Sequence, residues 1–158
     1  MNLAGMFASI AKALGYKEPW LPYPPVSGIE RPSPQGWVNQ ENIVVLMDRV
    51  TINEPDLLFF VLSGTNSMDG WMDEHHSVLV KKLSNHLDLV EGDIIIFSSP
   101  IGKIVHKIEK IDSDVHGRIY TTQGINNDRP DPYIIRKENI VGVVVAWVAT
   151  KKSTGGNP

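Results

Sequence analysis

The sequence predicts a mainly β domain over residues 41–150. Three observations carry that expectation. Short apolar runs recur at close spacing after residue 40, clusters of Gly, Pro, Asn and Asp separate them, and helical periodicity is scarce there. The chain has 158 residues, enough for one domain with a real core and too few for two comfortable ones. No internal repeat is visible.

Residues 1–16 read as a short amphipathic helix. Leu3, Met6, Phe7, Ile10 and Leu14 share one face, and Gly15 is a natural stop. The helix docks on its own domain, engages a protein partner or lies on a membrane surface, the last disfavoured because only Lys12 supplies positive charge. Residues 17–40 form a proline-rich arm: six of the eleven prolines fall between residues 17 and 37, beside Trp20, Tyr23 and Trp37. Proline at this density excludes helix and sheet interior, so an extended arm is expected, crossing a surface or serving as a linker.

Strands follow. Ile43–Met47 is the first, and residues 48–53 continue it or turn towards Glu54-Pro55. Leu57–Leu62 reads as a buried strand. Val78–Val80 is short, and Leu83–Leu89 suits a turn or one helical turn. Gly92-Asp93 opens the apolar strand Ile94–Ser98. Pro100, Gly102 and Lys103 make a hairpin turn into Ile104–Ile111, where Ile104, His106, Ile108 and Lys110 share one face. A turn over 112–117 leads to strand Arg118–Gln123. Residues 124–133 form a loop dense in Asn, Asp and Pro. Ile140–Ala149 closes the domain, with Gly142 marking a bulge. Residues 151–158 form a tail expected to be disordered.

Composition excludes several functions. A net charge of −3 argues against a general nucleic-acid binder. The absence of cysteine removes disulfides, thiolate catalysis and Cys-ligated metals. No apolar run reaches the roughly 20 residues that span a bilayer, and residues 1–17 lack the form of a secretory leader. A soluble protein, cytoplasmic or in a virus particle, is expected. No cofactor is expected. Nor is a metal site: His75 and His76 are adjacent and so point to opposite faces of an extended segment, and no zinc spacing such as HExxH occurs.

One candidate for chemistry remains. The run LFFVLSGTNSM, residues 58–68, ends a strand in a turn that presents Ser67. A turn after a strand is where backbone N–H groups can converge on an oxyanion. His106 lies mid-strand, and Asp128 and Asp131 lie in the loop after the next strand, within reach of a histidine on its neighbour. Each has a plainer reading: a packed histidine, and aspartates that cap turns.

SGTNSM, VEGDIIIF, GKIVHKIEKI, YTTQGINNDRPDP and ENIVGVVV together resemble, in order, the boxes of the signal peptidase I and LexA-like serine peptidases. The resemblance covers about residues 58–148. It is nearest the Ser–His branch, which includes the endoplasmic-reticulum and archaeal-type signal peptidases, because Val105-His106-Lys107 places histidine where other branches have lysine. The resemblance implies a coiled antiparallel β-fold. It implies Ser67 as nucleophile, His106 as base and Asp131 as the acid that orients it, with Asp128 as alternative acid. Thr65, Asn66 and Met68 flank the substrate, a peptide bound as an extended strand. There are departures. Gly70 stands where the family has proline, His75-His76 where it has Gly-Asp, and Ile125 where it has aspartate. No membrane anchor and no DNA-binding helix-turn-helix is recognisable. The resemblance therefore implies a soluble serine endopeptidase that processes an extended peptide segment. The alternatives are an inactive peptidase-fold module with a structural or interaction role, for example in a virus particle, and a self-cleaving regulator.

Overall fold

A computed structural model of the protein describes residues 31–151. The helix expected over residues 1–16, the first part of the proline-rich arm and all of the tail beyond Lys151 lie outside them. Among the described residues eight strands form two antiparallel sheets, so the fold is mainly β. Strands β1 (Ile43–Val45) and β2 (Val50–Ile52) make a two-stranded hairpin. The six-stranded sheet contains β3 (Leu57–Val61), β4 (His76–Lys81), β5 (Ile94–Ser99), β6 (Gly102–Asp114), β7 (Gly117–Gln123) and β8 (Ile140–Ala149), in the order β3-β4-β8-β5-β6-β7. No helix among the described residues is long and apolar enough to cross a membrane.

The run Ile94–Phe97 is apolar at every position because β5 lies between β8 and β6 and is covered on both faces. Its residues alternate between two cores. Ile95 and Phe97 join Leu89, Ile108, Tyr120, Ile135 and Val143. Ile94 and Ile96 join Met68, Met72, Val78, Val80 and Val144. The expected alternation of β6 holds from Ile104 to Ile108 and then breaks. Ile108 pairs with Thr122 but Lys110 pairs with Thr121, so Glu109 is the extra residue of a bulge. Lys110 is consequently exposed rather than on the His106 face. Strand β8 has its bulge where glycine marks it: Ile96 pairs with Gly142 and Phe97 with Ile140. A Cβ on Gly142 would collide with the Lys81 carbonyl.

Element bounds differ from expectation where backbone pairing extends past the apolar run. Strand β4 spans six residues rather than three because β3 and β8 pair with it on both sides. Within Leu83–Leu89 the single turn is His86–Asp88, capped by Asn85, whose side chain accepts from the Leu87 amide. Residues 48–53 resolve into a turn and β2.

The end of the arm is fastened to the sheet. Asp93 is fully buried, and its carboxylate accepts four hydrogen bonds: from Gln35 N (3.0 Å), Trp37 Nε1 (3.0 Å), Val90 N (3.0 Å) and Gln35 Nε2 (3.2 Å). The chain at Pro32-Ser33 crosses Gly92 so closely that a Cβ there would lie 2.5 Å from Ser33 N, and Gly92 has φ +100°. Glu54 anchors the base of the β1–β2 hairpin through Lys81 and Asn42. The hydrogen bond from Lys81, then that from Asn42, lowers the Glu54 carboxyl below its ordinary range.

At the far end of β6, Arg136 grips Asp114 with both guanidinium nitrogens, at 3.0 and 2.6 Å. These bonds, with the His116 amide, pull the Asp114 carboxyl from 3.8 down to about 2. A depressed carboxyl stabilises the fold above its unfolded value and loses that contribution as pH falls through the folded one. Acid unfolding of Arg136→Gln, followed by circular dichroism, is therefore expected to show a weaker pH dependence between about 4 and about 2 than the native chain.

Candidate active site

Ser67 sits at the start of a tight turn between β3 and β4. Asn66 adopts φ +58°, a left-handed conformation that asparagine tolerates better than most residues. The turn is held by Met68 O, which accepts from Trp71 N and Met72 N. Gly70 has φ +90°. Proline is locked near −65° and cannot adopt that value, which accounts for glycine at a position where the family resemblance leads one to expect proline. Met68 and Met72 are buried and pin the turn to the second core.

A second loop clamps this turn from the other side. Asn126 N donates to Ser67 O at 2.9 Å and Asn126 Nδ2 to Asn66 O at 2.9 Å, while Ile125 N lies 3.5 Å from Met68 Sδ. Ile125, which replaces an expected aspartate, packs on the second core. Gly124 is where the two loops touch. A Cβ there would lie 2.5 Å from Ser67 O, 2.8 Å from Asn127 Nδ2 and 2.9 Å from His106 Nε2. Gly124→Ala is expected to push the two loops apart and cut any Ser67-dependent turnover by about 10²-fold or more, read as kcat, with overall strand content unchanged by circular dichroism.

The three residues expected to act together are joined by a continuous chain of hydrogen bonds. His106 Nε2 lies 2.9 Å from Ser67 Oγ, and His106 Nδ1 lies 2.6 Å from Asp131 Oδ2. The His106 and Asp131 side chains are 6% and 9% exposed. With the proton on Nδ1, the imidazole donates to Asp131 and presents a lone pair to the Ser67 hydroxyl. Thr65 Oγ1 lies 3.1 Å from Ser67 Oγ. If Ser67 gives its proton to Nε2, Thr65 is the donor in that contact. Asp131 rather than Asp128 reaches the ring; Asp128 is exposed. Asp131 is held in turn by its own amide, which donates to Thr122 O at 2.8 Å, and by Thr122 Oγ1, 2.6 Å from Oδ2. Thr122 did not stand out in the sequence, whereas Gly124 opens the Gly124-Ile125-Asn126-Asn127 stretch that carries part of the resemblance. The only signal available was that Thr122 falls two residues before the glycine of the Asn-rich loop.

The serine and histidine open into a cleft of about 340 Å³. Its lining includes Phe60–Ser63, at the end of β3 and just beyond it, and Ile101 with Lys103–Val105 from the β5–β6 hairpin. Ile96 and Met72 contribute an apolar floor. Thr65 lines the cleft, and so does Met68, mostly buried. Asn66 is exposed and its carbonyl is taken by Asn126. The Asp69 carboxyl, in the turn after Ser67, is pushed above its ordinary range, first by burial and then by Asp73.

Both histidines make local contacts. His76 Nδ1 accepts from Asp73 N at 3.0 Å, and His75 lies 3.3 Å from Glu74. Among the described residues no group of three or more His, Asp or Glu side chains is arranged to hold a metal ion. No protein-family model matches this chain, and no curated protein matches it significantly in sequence.

Proposed function

We propose that the protein is a serine endopeptidase of the signal peptidase I and LexA-like kind, nearest the Ser–His branch, acting on an extended peptide segment. The observation that carries this reading is the unbroken relay from Ser67 Oγ through His106 to Asp131, with both bonds at 2.9 Å or shorter. A nucleophile, a base in hydrogen-bond reach and a carboxylate on the far nitrogen are the parts that acyl transfer requires.

The chemistry follows from the geometry. Ser67 Oγ attacks the scissile carbonyl carbon as His106 Nε2 takes its proton. Asp131 fixes the tautomer and stabilises the imidazolium that forms. The Ser67 backbone N–H, with a neighbouring donor such as the Thr65 hydroxyl 3.1 Å from Ser67 Oγ, would hold the developing oxyanion. His106 then protonates the leaving amine, and water releases the acyl group by the reverse path. Strand β3 is an edge of the six-stranded sheet, so a substrate entering the cleft has an edge to pair with. The apolar lining favours apolar side chains beside the scissile bond.

The test is digestion of a peptide library made from an unrelated proteome, read by mass spectrometry, with the native chain and Ser67→Ala in parallel. New termini that appear with the native chain and vanish with Ser67→Ala are expected. Identical product sets from both would overturn the reading.

A further inference from the structure

We propose that Thr122 is a positioning residue of this site: its hydroxyl locks the Asp131 carboxylate in the orientation that aims His106 Nε2 at Ser67. The proposal rests on the peptidase reading for its consequence in catalysis, but its geometry stands independently of that reading.

Thr122 lies on β7, paired with Ile108 of β6, two residues from His106. It is fully buried. A hydroxyl in that setting needs a partner, since burying it unpaired carries its full desolvation penalty. Its partner is the same oxygen that His106 uses. Asp131 Oδ2 accepts from Thr122 Oγ1 at 2.6 Å and from His106 Nδ1 at 2.6 Å. The backbone closes a ring between the same two residues, with Asp131 N donating to Thr122 O at 2.8 Å.

The need for a second donor follows from the torsion involved. The terminal torsion of aspartate is broad and nearly two-fold, so one hydrogen bond leaves the carboxylate free to rock. Two donors converging on one oxygen from different strands remove that freedom. Threonine suits the task because its branched Cβ restricts χ1, so the hydroxyl direction is set by the strand. Asp131 comes from an irregular loop, and Thr122 ties that loop to the sheet that carries the histidine. The Thr122 bond also draws charge from Oδ2, charge that would otherwise hold the His106 proton more tightly. Loss of the hydroxyl therefore has two effects: the imidazole wanders, and its protonated form is favoured.

The experiment compares native chain, Thr122→Val, Thr122→Ala and Thr122→Ser by two independent readouts. The first is NMR of the His106 Nδ1 proton and of the ring's pH titration, which needs no substrate. In Thr122→Val and Thr122→Ala the Nδ1 proton is expected to broaden and the titration to move to higher pH; Thr122→Ser is expected to restore both. The second is kinetics on a peptide cleaved in a Ser67-dependent way. Removal of the hydroxyl is expected to lower kcat about 10- to 100-fold with KM changed less than about threefold, and to displace the acid limb of the kcat/KM profile to higher pH. A buried threonine with a purely structural role would lower melting temperature and leave the titration in place. Native NMR behaviour in a folded Thr122→Val or Thr122→Ala overturns the proposal, as does a failure of Thr122→Ser to rescue. If no Ser67-dependent cleavage is found, the peptidase reading fails, and the NMR readout still decides whether Thr122 holds the Asp131–His106 pair.

Discussion

Ser67→Ala, His106→Ala and the double variant are expected to lose the same activity, about 10⁴- to 10⁶-fold in kcat, because the two residues act as one unit. Nucleophile and base share a single hydrogen bond of 2.9 Å, so removing either ends proton transfer from the attacking oxygen. Asp131→Asn leaves the shape of the site in place. Its amide nitrogen, facing Nδ1, would favour the wrong tautomer, and a loss of about 10⁴-fold is expected. The measurement is initial rates on a Ser67-dependent peptide, with melting temperatures of each variant to establish folding. Additive losses in the double variant would show that Ser67 and His106 contribute separately, which contradicts the relay.

Asp93→Ala is expected to lower unfolding stability by about 3–5 kcal/mol. The carboxylate gathers four donors from the arm and from the turn before β5. Alanine leaves Gln35 N, Trp37 Nε1 and Val90 N without their carboxylate acceptor. It also loosens Trp37, which packs against the first core. Asp93→Asn keeps one acceptor oxygen and is expected to cost less, about 1–2 kcal/mol. Urea unfolding followed by tryptophan fluorescence measures both, and equal midpoints for native chain and Asp93→Ala would overturn the assignment of Asp93 as the fastening point.

Much of the fold was legible because it rests on local periodicity. The apolar run Ile94–Phe97 announced a strand, and alternation over Ile104–Ile108 put His106 on one face with Ile104 and Ile108. Leu57–Leu62, expected to be buried, is instead an edge strand with Phe59 and Val61 exposed, because sheet position is not local. The turn at Ser67 was legible from Ser-Gly-Thr-Asn, whose residue types favour turns. The break in alternation at Glu109 was not legible, because a bulge is set by what β7 pairs with. The lengths of β4 and β6 were likewise set by their neighbours.

The chain sequence by itself determined that a β domain carries a serine in a turn, a histidine on a buried strand face and two aspartates in one loop. Only the tertiary structure decided that Asp131, and not Asp128, meets the imidazole, that Thr122 shares its oxygen, that Gly124 must lack a side chain, and that Asp93 receives the arm. The physical reason is separation along the chain. Ser67 and His106 are 39 residues apart, His106 and Asp131 are 25 apart, and Gln35 and Asp93 are 58 apart. Contacts of that span are fixed by strand register and the close approach of two loops, neither of which leaves a mark on neighbouring residues.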